Sequence, residues 1–360
     1  FLTISVLVHK MKKVIIVGGG LSGLTIAYHL KKQNIPFQIL EAQDNLGGRI
    51  NTIRGVLDSP MEMGATWFNT IHTDLIQLLK DLEINYFPQH IEGKTFFQTH
   101  SFEPPQLFYV PNSEQSSYRI KDGTFTIIEK LVSIIGEENI FTNTVVNKII
   151  DKENHVVLID SLGNSYEAET VVSTIPPQIL IENIQFEPSL PLQLTNLMPE
   201  VQTWMSGSIK FAIEYSEPFW LNNGFSGTIY SQSSIAVEVY DHCNYEANKF
   251  SLVGFLSGSA INYTIEQREQ LVIEQIENLF GTIVPSYISY HEKVWNNQYV
   301  SSTKPNSLYA HQNNGHELVQ LSYMNDKLFF AGTETSSIHP GYLEGAVRSA
   351  NRVFKIISEK

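Results

Sequence analysis

Short apolar runs, helical stripes and alternating stretches follow one another along this chain in an order that predicts an α/β protein. Val14-Ile15-Ile16-Val17 is a continuous apolar run of the kind that forms a strand buried on both faces. Leu24, Ala27, Tyr28 and Leu30 then fall on or near one face of a helix predicted from about Ser22 to Gln33, which Asn34-Ile35-Pro36 stops. Phe37 to Leu40 is the next strand, ending at Glu41. Ile71, Leu75, Leu78, Leu79 and Leu82 recur at helical spacing over 71–83. Residues 84–118 are rich in aromatics, Pro, Gln and Ser and read as irregular structure or short strands. Asp122-Gly123-Thr124 leads into a helix through Ile135. Strands are predicted at 145–150 and 155–160, with a turn at Gly163-Asn164, and at Val171 to Ile175, broken by Pro176-Pro177. Residues 207–260 alternate in β-branched and aromatic residues, which predicts a mainly antiparallel sheet. An amphipathic helix over 264–280, a polar loop over 300–317, a strand at 327–331 and a helix over 343–357 complete the pattern.

The alternation divides the chain into a dinucleotide-type domain assembled from residues 11–75, 120–199 and 300–360 and an inserted α+β domain from 76–119 and 200–299, with 1–10 as an extension. A length of 360 residues is sufficient for two such domains. With 24 Lys+Arg against 37 Asp+Glu the formal charge is −13, a surface that repels nucleic acid and favours cationic ligands. Cys243, the single cysteine, permits neither an intrachain disulfide nor a cysteine-rich zinc site, and is expected to be a packing residue in a cytoplasmic protein. No apolar run reaches the roughly 18 residues of a membrane helix, so no membrane anchor is expected. The 11 histidines show no metal-ligand spacing, and no metal is expected. The oligomeric state is not legible.

Candidate chemistry begins where the first strand ends. Gly18, Gly20 and Gly23 sit between that strand and its helix, where they allow a tight turn, close approach of backbone to a pyrophosphate and close helix–strand packing. The helix N-terminus adds free N–H groups and partial positive charge. Glu41, at the end of the second strand, is placed to accept ribose hydroxyls. Gly47-Gly48-Arg49 follows.

Taken with Glu62-Met63-Gly64-Ala65-Thr66-Trp67, Ser208-Ile209-Lys210, Tyr215-Ser216-Glu217-Pro218-Phe219-Trp220, Ala331-Gly332-Thr333-Glu334 and Gly341-Tyr342-Leu343-Glu344-Gly345-Ala346, this order of segments resembles the FAD-dependent amine oxidases of the monoamine and polyamine oxidase type over most of residues 11–357. The resemblance implies a Rossmann-like FAD-binding domain of discontinuous segments and an inserted substrate domain. It implies that Gly48 and Arg49 lie near the FAD pyrophosphate, Gly64 and Thr66 line the flavin, and Val146 contacts adenine. Gly332, Thr333 and Glu334 would approach the ribityl and pyrophosphate, and the Leu343 N–H would face the flavin N1/O2 edge. Lys210 would hold a water beside flavin N5, and Tyr342 would form one wall of an aromatic cage for the amine. Strand alternation allows a plainer alternative for Lys210, with Ser208, Lys210 and Ala212 forming a polar sheet face. Trp295, Tyr299 and Tyr309 are candidates for the second wall. Covalent members of the family attach FAD through a cysteine between Trp295 and Gly315; none occurs here, so FAD is expected to be non-covalent.

The implied reaction is oxidation of an amine C–N bond to an imine by hydride transfer to flavin N5. O2 or another acceptor would reoxidise the flavin, with O2 giving H2O2. A polyamine oxidase, a protoporphyrinogen oxidase or desaturase-like enzyme, and a non-catalytic flavin-binding protein are the alternatives. The absence of arginine from Met61 to Phe68 ranks a carboxylate-clamping amino-acid oxidase low.

Overall fold

The computed structural model describes residues 12–112, 117–303 and 308–359; the extension read at 1–10 lies outside them. Two large sheets carry the fold. The first has eight strands. Seven run in the order Gln185–Glu187, Val146–Asp151, Val156–Asp160, Ser165–Ser173, Lys12–Val17, Phe37–Leu40 and Ile140–Phe141, and Leu328–Phe330 pairs with Ser165–Ser173. Lys12–Val17 is parallel to both neighbours, with Ile15 opposite Val171 and Ile16 opposite Ile39. Both faces of this strand are covered. Val14 and Ile16 join the core formed with helices Leu21–Lys32, Thr73–Asp81, Thr126–Ile135 and Leu343–Ser358, while Ile15 and Val17 join the core with Leu180, Leu194, Met198 and Phe330. That two-sided burial is why the sequence shows an unbroken apolar run rather than an alternation.

The strand Ser165–Ser173 is longer than its apolar tail suggested. Its first half pairs antiparallel with Val156–Asp160, and Glu167 and Glu169 alternate with buried Tyr166, Ala168 and Thr170. From Val171 onward it lies between two parallel partners, and Val171, Val172 and Ser173 are all buried. The helix read at 71–83 begins at Thr73; Ile71 stays exposed, and the Glu344 carboxylate accepts the Asp74 and Leu75 N–H groups at that helix start, at 3.2 and 2.8 Å.

The second sheet has seven strands, in the order Ser289–Val294, Ile209–Tyr215, Phe250–Leu256, Ala236–Asp241, Phe225–Ser231, Gly93–Gln98 and Gln106–Val110. All neighbours are antiparallel except Gly93–Gln98 and Phe225–Ser231, which are parallel. Ser289–Val294 was not legible because its polar residues are all only half-buried. Helix Ile265–Phe280 starts with a capping box in which Thr264 and Gln267 satisfy each other's backbone N–H, and it sends Val272, Ile276 and Phe280 into an aromatic core with Phe96, Phe219 and Trp220. Among the described residues no helix is long and apolar enough to cross a membrane.

Candidate active site

A cavity of about 480 Å³ opens beyond the C-terminal ends of the parallel strands, where open α/β sheets present their ligand crevices. It extends from the Gly18 turn and Val146 at one end to Tyr342, Tyr240 and Phe255 at the other.

The end at the Gly18 turn is built from backbone. Gly18 has φ +110°, and a Cβ there would lie 2.4 Å from Thr174 Oγ1. A Cβ on Gly23 would lie 2.1 Å from the Gly18 carbonyl oxygen, so only glycine lets the helix sit this close to the strand. Gly20 differs: a Cβ there would meet nothing nearer than 3.9 Å and would project toward the cavity it lines. Gly48 lines the same wall. The buried Glu41 carboxylate accepts the Gly19 N–H at 2.6 Å and the Gln43 N–H at 2.9 Å. Burial pushes its pKa up, against the lowering effect of those backbone N–H groups. Val146 reaches the cavity from its strand. A glycine cradle, a strand-end carboxylate and an apolar patch in this order fit a dinucleotide of the FAD type.

Arg49 lines the cavity, but its guanidinium fork grips Glu334 at 2.5 and 3.0 Å and also donates to the Trp204 carbonyl at 3.1 Å. Glu334 is fully buried and does not line the cavity. Glu334 thus stands behind Arg49 and fixes the direction of that cation. Thr333 and Gly332 do line the cavity. Thr333 donates to the Tyr342 carbonyl at 2.8 Å, and the Gly332 N–H donates to Ser22 and Ser349 hydroxyls at 3.1 and 3.0 Å, tying the two flanking helices to one turn. Leu343, first residue of the last helix, brings that helix N-terminus to the cavity.

At the other end, the strand Ile209–Tyr215 is buried along its whole length, so the polar-face alternative for Lys210 does not hold. Lys210 Nζ donates to the Gly64 carbonyl at 2.8 Å and to Thr66 Oγ1 at 2.5 Å, and both of those residues line the cavity. It lies 4.9 Å from the Trp67 ring centroid and 5.3 Å from that of Phe255. Burial pushes its pKa down from 10.5 to about 7; Glu62 draws it back up, and Arg119 pushes it down further. Glu62 is itself driven upward by burial, though its carboxylate accepts the Thr124 N–H at 2.6 Å and the Thr52 hydroxyl at 3.0 Å. The dry setting thus disfavours the ammonium form of this lysine.

Tyr342 is half-exposed at the cavity wall, with its ring centroid 6.5 Å from Trp204 and 6.0 Å from His311, both nearly parallel to it. Of the three candidates for the facing wall, only Tyr299 lines the cavity. Trp295 is buried beside it, donating its indole N–H to the Met63 carbonyl at 2.8 Å, with Lys293 Nζ 4.2 Å from its ring centroid. Tyr309 is 83% exposed. Neither can serve as a cage wall in this arrangement. Sequence reasoning missed Trp204, Phe255, Glu238 and Tyr240, all of which line the cavity. Only strand register could have found Phe255 and Glu238, since Phe255 pairs with Lys210 and Glu238 pairs with Phe255. Cys243 is a buried packing residue whose thiol donates to Asp241 at 3.0 Å, outside the cavity lining.

The fold is the mixed α/β fold of flavin-containing amine oxidases, and its cavity runs from a glycine turn to an aromatic chamber with a buried lysine behind it. Residues 21–104 and 96–353 match the family described as flavin containing amine oxidoreductase, and the chain belongs to that family; its cofactor is FAD. The chain is similar to a probable flavin-containing monoamine oxidase A of Dictyostelium discoideum, at 26% identity over 96% of this chain and 97% of the relative. It is similar to human flavin-containing amine oxidase B at 23% identity, over 96% and 85%. In fold it is similar to a putrescine oxidase solved with putrescine bound (TM-score 0.83, 19% identity, covering 99% of this chain and 100% of that chain). It is also similar to the cyclohexylamine oxidase of Brevibacterium oxydans (TM-score 0.84, 19% identity, covering 97% and 99%).

Proposed function

We propose that this protein oxidises a small amine at a non-covalently held FAD. The eight-stranded sheet would carry the cofactor, and the seven-stranded sheet would form the substrate chamber. The observation that carries this reading is the continuity of one cavity from the Gly18 turn to Tyr342, with Lys210 buried directly behind its Gly64–Thr66 wall. Gly20, Gly48 and the first helix N-terminus would hold the pyrophosphate, Arg49 would add a fixed positive charge, Glu41 would take the ribose hydroxyls and Val146 would meet adenine. The Leu343 N–H and its helix dipole would favour the negative charge of the reduced ring. When bound, FAD supplies the two-electron acceptor for the amine C–H, and O2 or another acceptor then removes those electrons.

The chain's own residues supply position and proton management. Tyr342, with Tyr299 and Trp204, would orient the amine and exclude bulk water. Lys210, its ammonium form disfavoured by burial, would hold a water at the Gly64–Thr66 wall and exchange a proton with it. The nearest cysteine offers no alternative attachment, because Cys243 is the single cysteine and lies outside the cavity. Denaturing the purified yellow protein should release FAD into the supernatant. Anaerobic addition of primary, secondary and polyamines should bleach the flavin with at least one of them. Bleaching by none would overturn the reading.

A further inference from the structure

We propose that a second, smaller cavity behind Thr66 is the exit through which the proton of the substrate's ammonium group passes from Lys210 to solvent; this rests on the amine-oxidising reading above. Thr66 lines both cavities. On one side its hydroxyl oxygen accepts from Lys210 Nζ at 2.5 Å. On the other lies a space with room for about one water molecule, walled by Glu62, Arg119, Thr124 and His242. Asp122 and Tyr245, both exposed, form its rim.

Two nitrogens suit this space to water. Arg119 and His242 are buried, and among the described residues neither Arg119 Nε nor His242 Nδ1 has a hydrogen-bond partner. Buried polar atoms left unmet are costly, and a water among several polar neighbours meets them. The rest of the Arg119 fork is committed: Nη2 donates to the Cys243 carbonyl at 2.6 Å and lies 3.7 Å from the Asp241 carboxylate. Burial, with Arg119 and Lys210 nearby, holds His242 well below the usual histidine range, so its neutral ring donates at one nitrogen and accepts at the other. The charged and titratable groups around Glu62 are therefore Lys210, Arg119 and His242, with Asp241 paired to Arg119 and Asp122 on the rim.

An aliphatic amine enters as its ammonium at neutral pH. It loses one proton, then a hydride from the α-carbon, and leaves as an iminium. One proton must therefore reach solvent for each reduction. The water at the Gly64–Thr66 wall hands that proton to Lys210 Nζ. An Nζ–H bond then breaks toward Thr66 Oγ1 while the Thr66 O–H bond breaks toward the water in the second cavity. In this structure that hydroxyl donates to the Gly64 carbonyl at 3.0 Å, and rotation about Cβ–Oγ1 turns it to the second cavity. The proton moves on past Glu62 to the rim.

A crystal structure of wild type should show an ordered water within hydrogen-bond distance of Arg119 Nε and His242 Nδ1; a dry cavity there would refute the proposal. Anaerobic mixing with amine, in weak buffer with a pH-indicator dye, follows flavin bleaching and proton release together. Wild type should release its proton in step with bleaching. Thr66→Val should make release lag bleaching by about tenfold or more, and Thr66→Ser should remove the lag. Glu62→Gln should lag as well and move the pH midpoint of bleaching down by about one unit, because Lys210 loses a neighbouring negative charge. Flavin content and Tm serve as folding controls, and if Thr66→Val loses flavin, the lag in Glu62→Gln decides. Release locked to bleaching in the variants, or a lag that Thr66→Ser does not remove, places the exit elsewhere while amine oxidation stands. If no amine bleaches wild-type flavin, the underlying reading fails, and this one with it.

Discussion

The two ends of the cavity are made of different material. The end at the Gly18 turn, proposed for the nucleotide, is backbone: glycines at a strand–helix turn, a helix N-terminus and a strand-end carboxylate whose oxygens already hold main-chain N–H groups. The reacting end is side chain: a lysine, a carboxylate and several rings delivered by strands that are neighbours only after a seven-stranded sheet has formed. Backbone sites tolerate little where a turn packs tightly: an added Cβ collides with the Thr174 hydroxyl at Gly18 and with the Gly18 carbonyl at Gly23, though Gly20 faces open space. Side-chain sites can exchange one ring for another, and they carry selectivity rather than cofactor affinity.

If that contrast holds, the largest effect should follow from filling the turn. Gly23→Val places a side chain where even a Cβ would come within 2.1 Å of the Gly18 carbonyl, so the protein should purify almost free of flavin, as its absorbance would show. Next comes the Arg49–Glu334 pair. Arg49→Ala leaves Glu334 buried without its cation and should cost about 3–5 kcal/mol in denaturant unfolding, together with weaker FAD retention. Glu334→Gln should cost less and leave Arg49 free to wander, loosening FAD without removing it.

Lys210→Met probes the other end. It should retain FAD and slow flavin reduction or reoxidation by at least about tenfold. It also has a stability signature. Burial lowers this lysine from 10.5 to about 7, so the unfolded chain binds its proton more tightly than the folded one. The resulting penalty is fully present below pH about 7 and fades as pH rises toward 10.5. Relative to wild type, Lys210→Met should therefore gain a few degrees of Tm at low pH and lose that advantage at high pH. Glu62, left without its partner and already pushed upward by burial, reinforces the loss at high pH. The smallest effects belong to the aromatics. Tyr342→Ala should reduce kcat/KM about tenfold, whereas Tyr309→Ala, on an 83% exposed residue, should leave turnover unchanged.

The same contrast explains what could be read in advance. Gly18, Gly20, Gly23, Glu41 and the last helix were visible because their spacing is local: a turn, a strand end and a helix start are each contained within a few residues. Lys210 stood out only through resemblance, and its complete burial settles what alternation left open. The facing ring could not be chosen by spacing, since Trp295, Tyr299 and Tyr309 share one short stretch and differ only in where an irregular loop sends them. Glu238 and Tyr240 were invisible because their relation to Lys210 exists only through register across intervening strands. The grip of Glu334 on Arg49 was equally invisible, because position beside Thr333 says nothing about which distant side chain the carboxylate meets.

The central claim is that both ends serve one flavin, and rapid anaerobic mixing of amine with wild type and Lys210→Met, followed by air, tests it most directly. The account predicts equal FAD content in both proteins and a slower reductive or oxidative phase in the variant alone. Identical rates in both phases, with FAD equally bound, would contradict it.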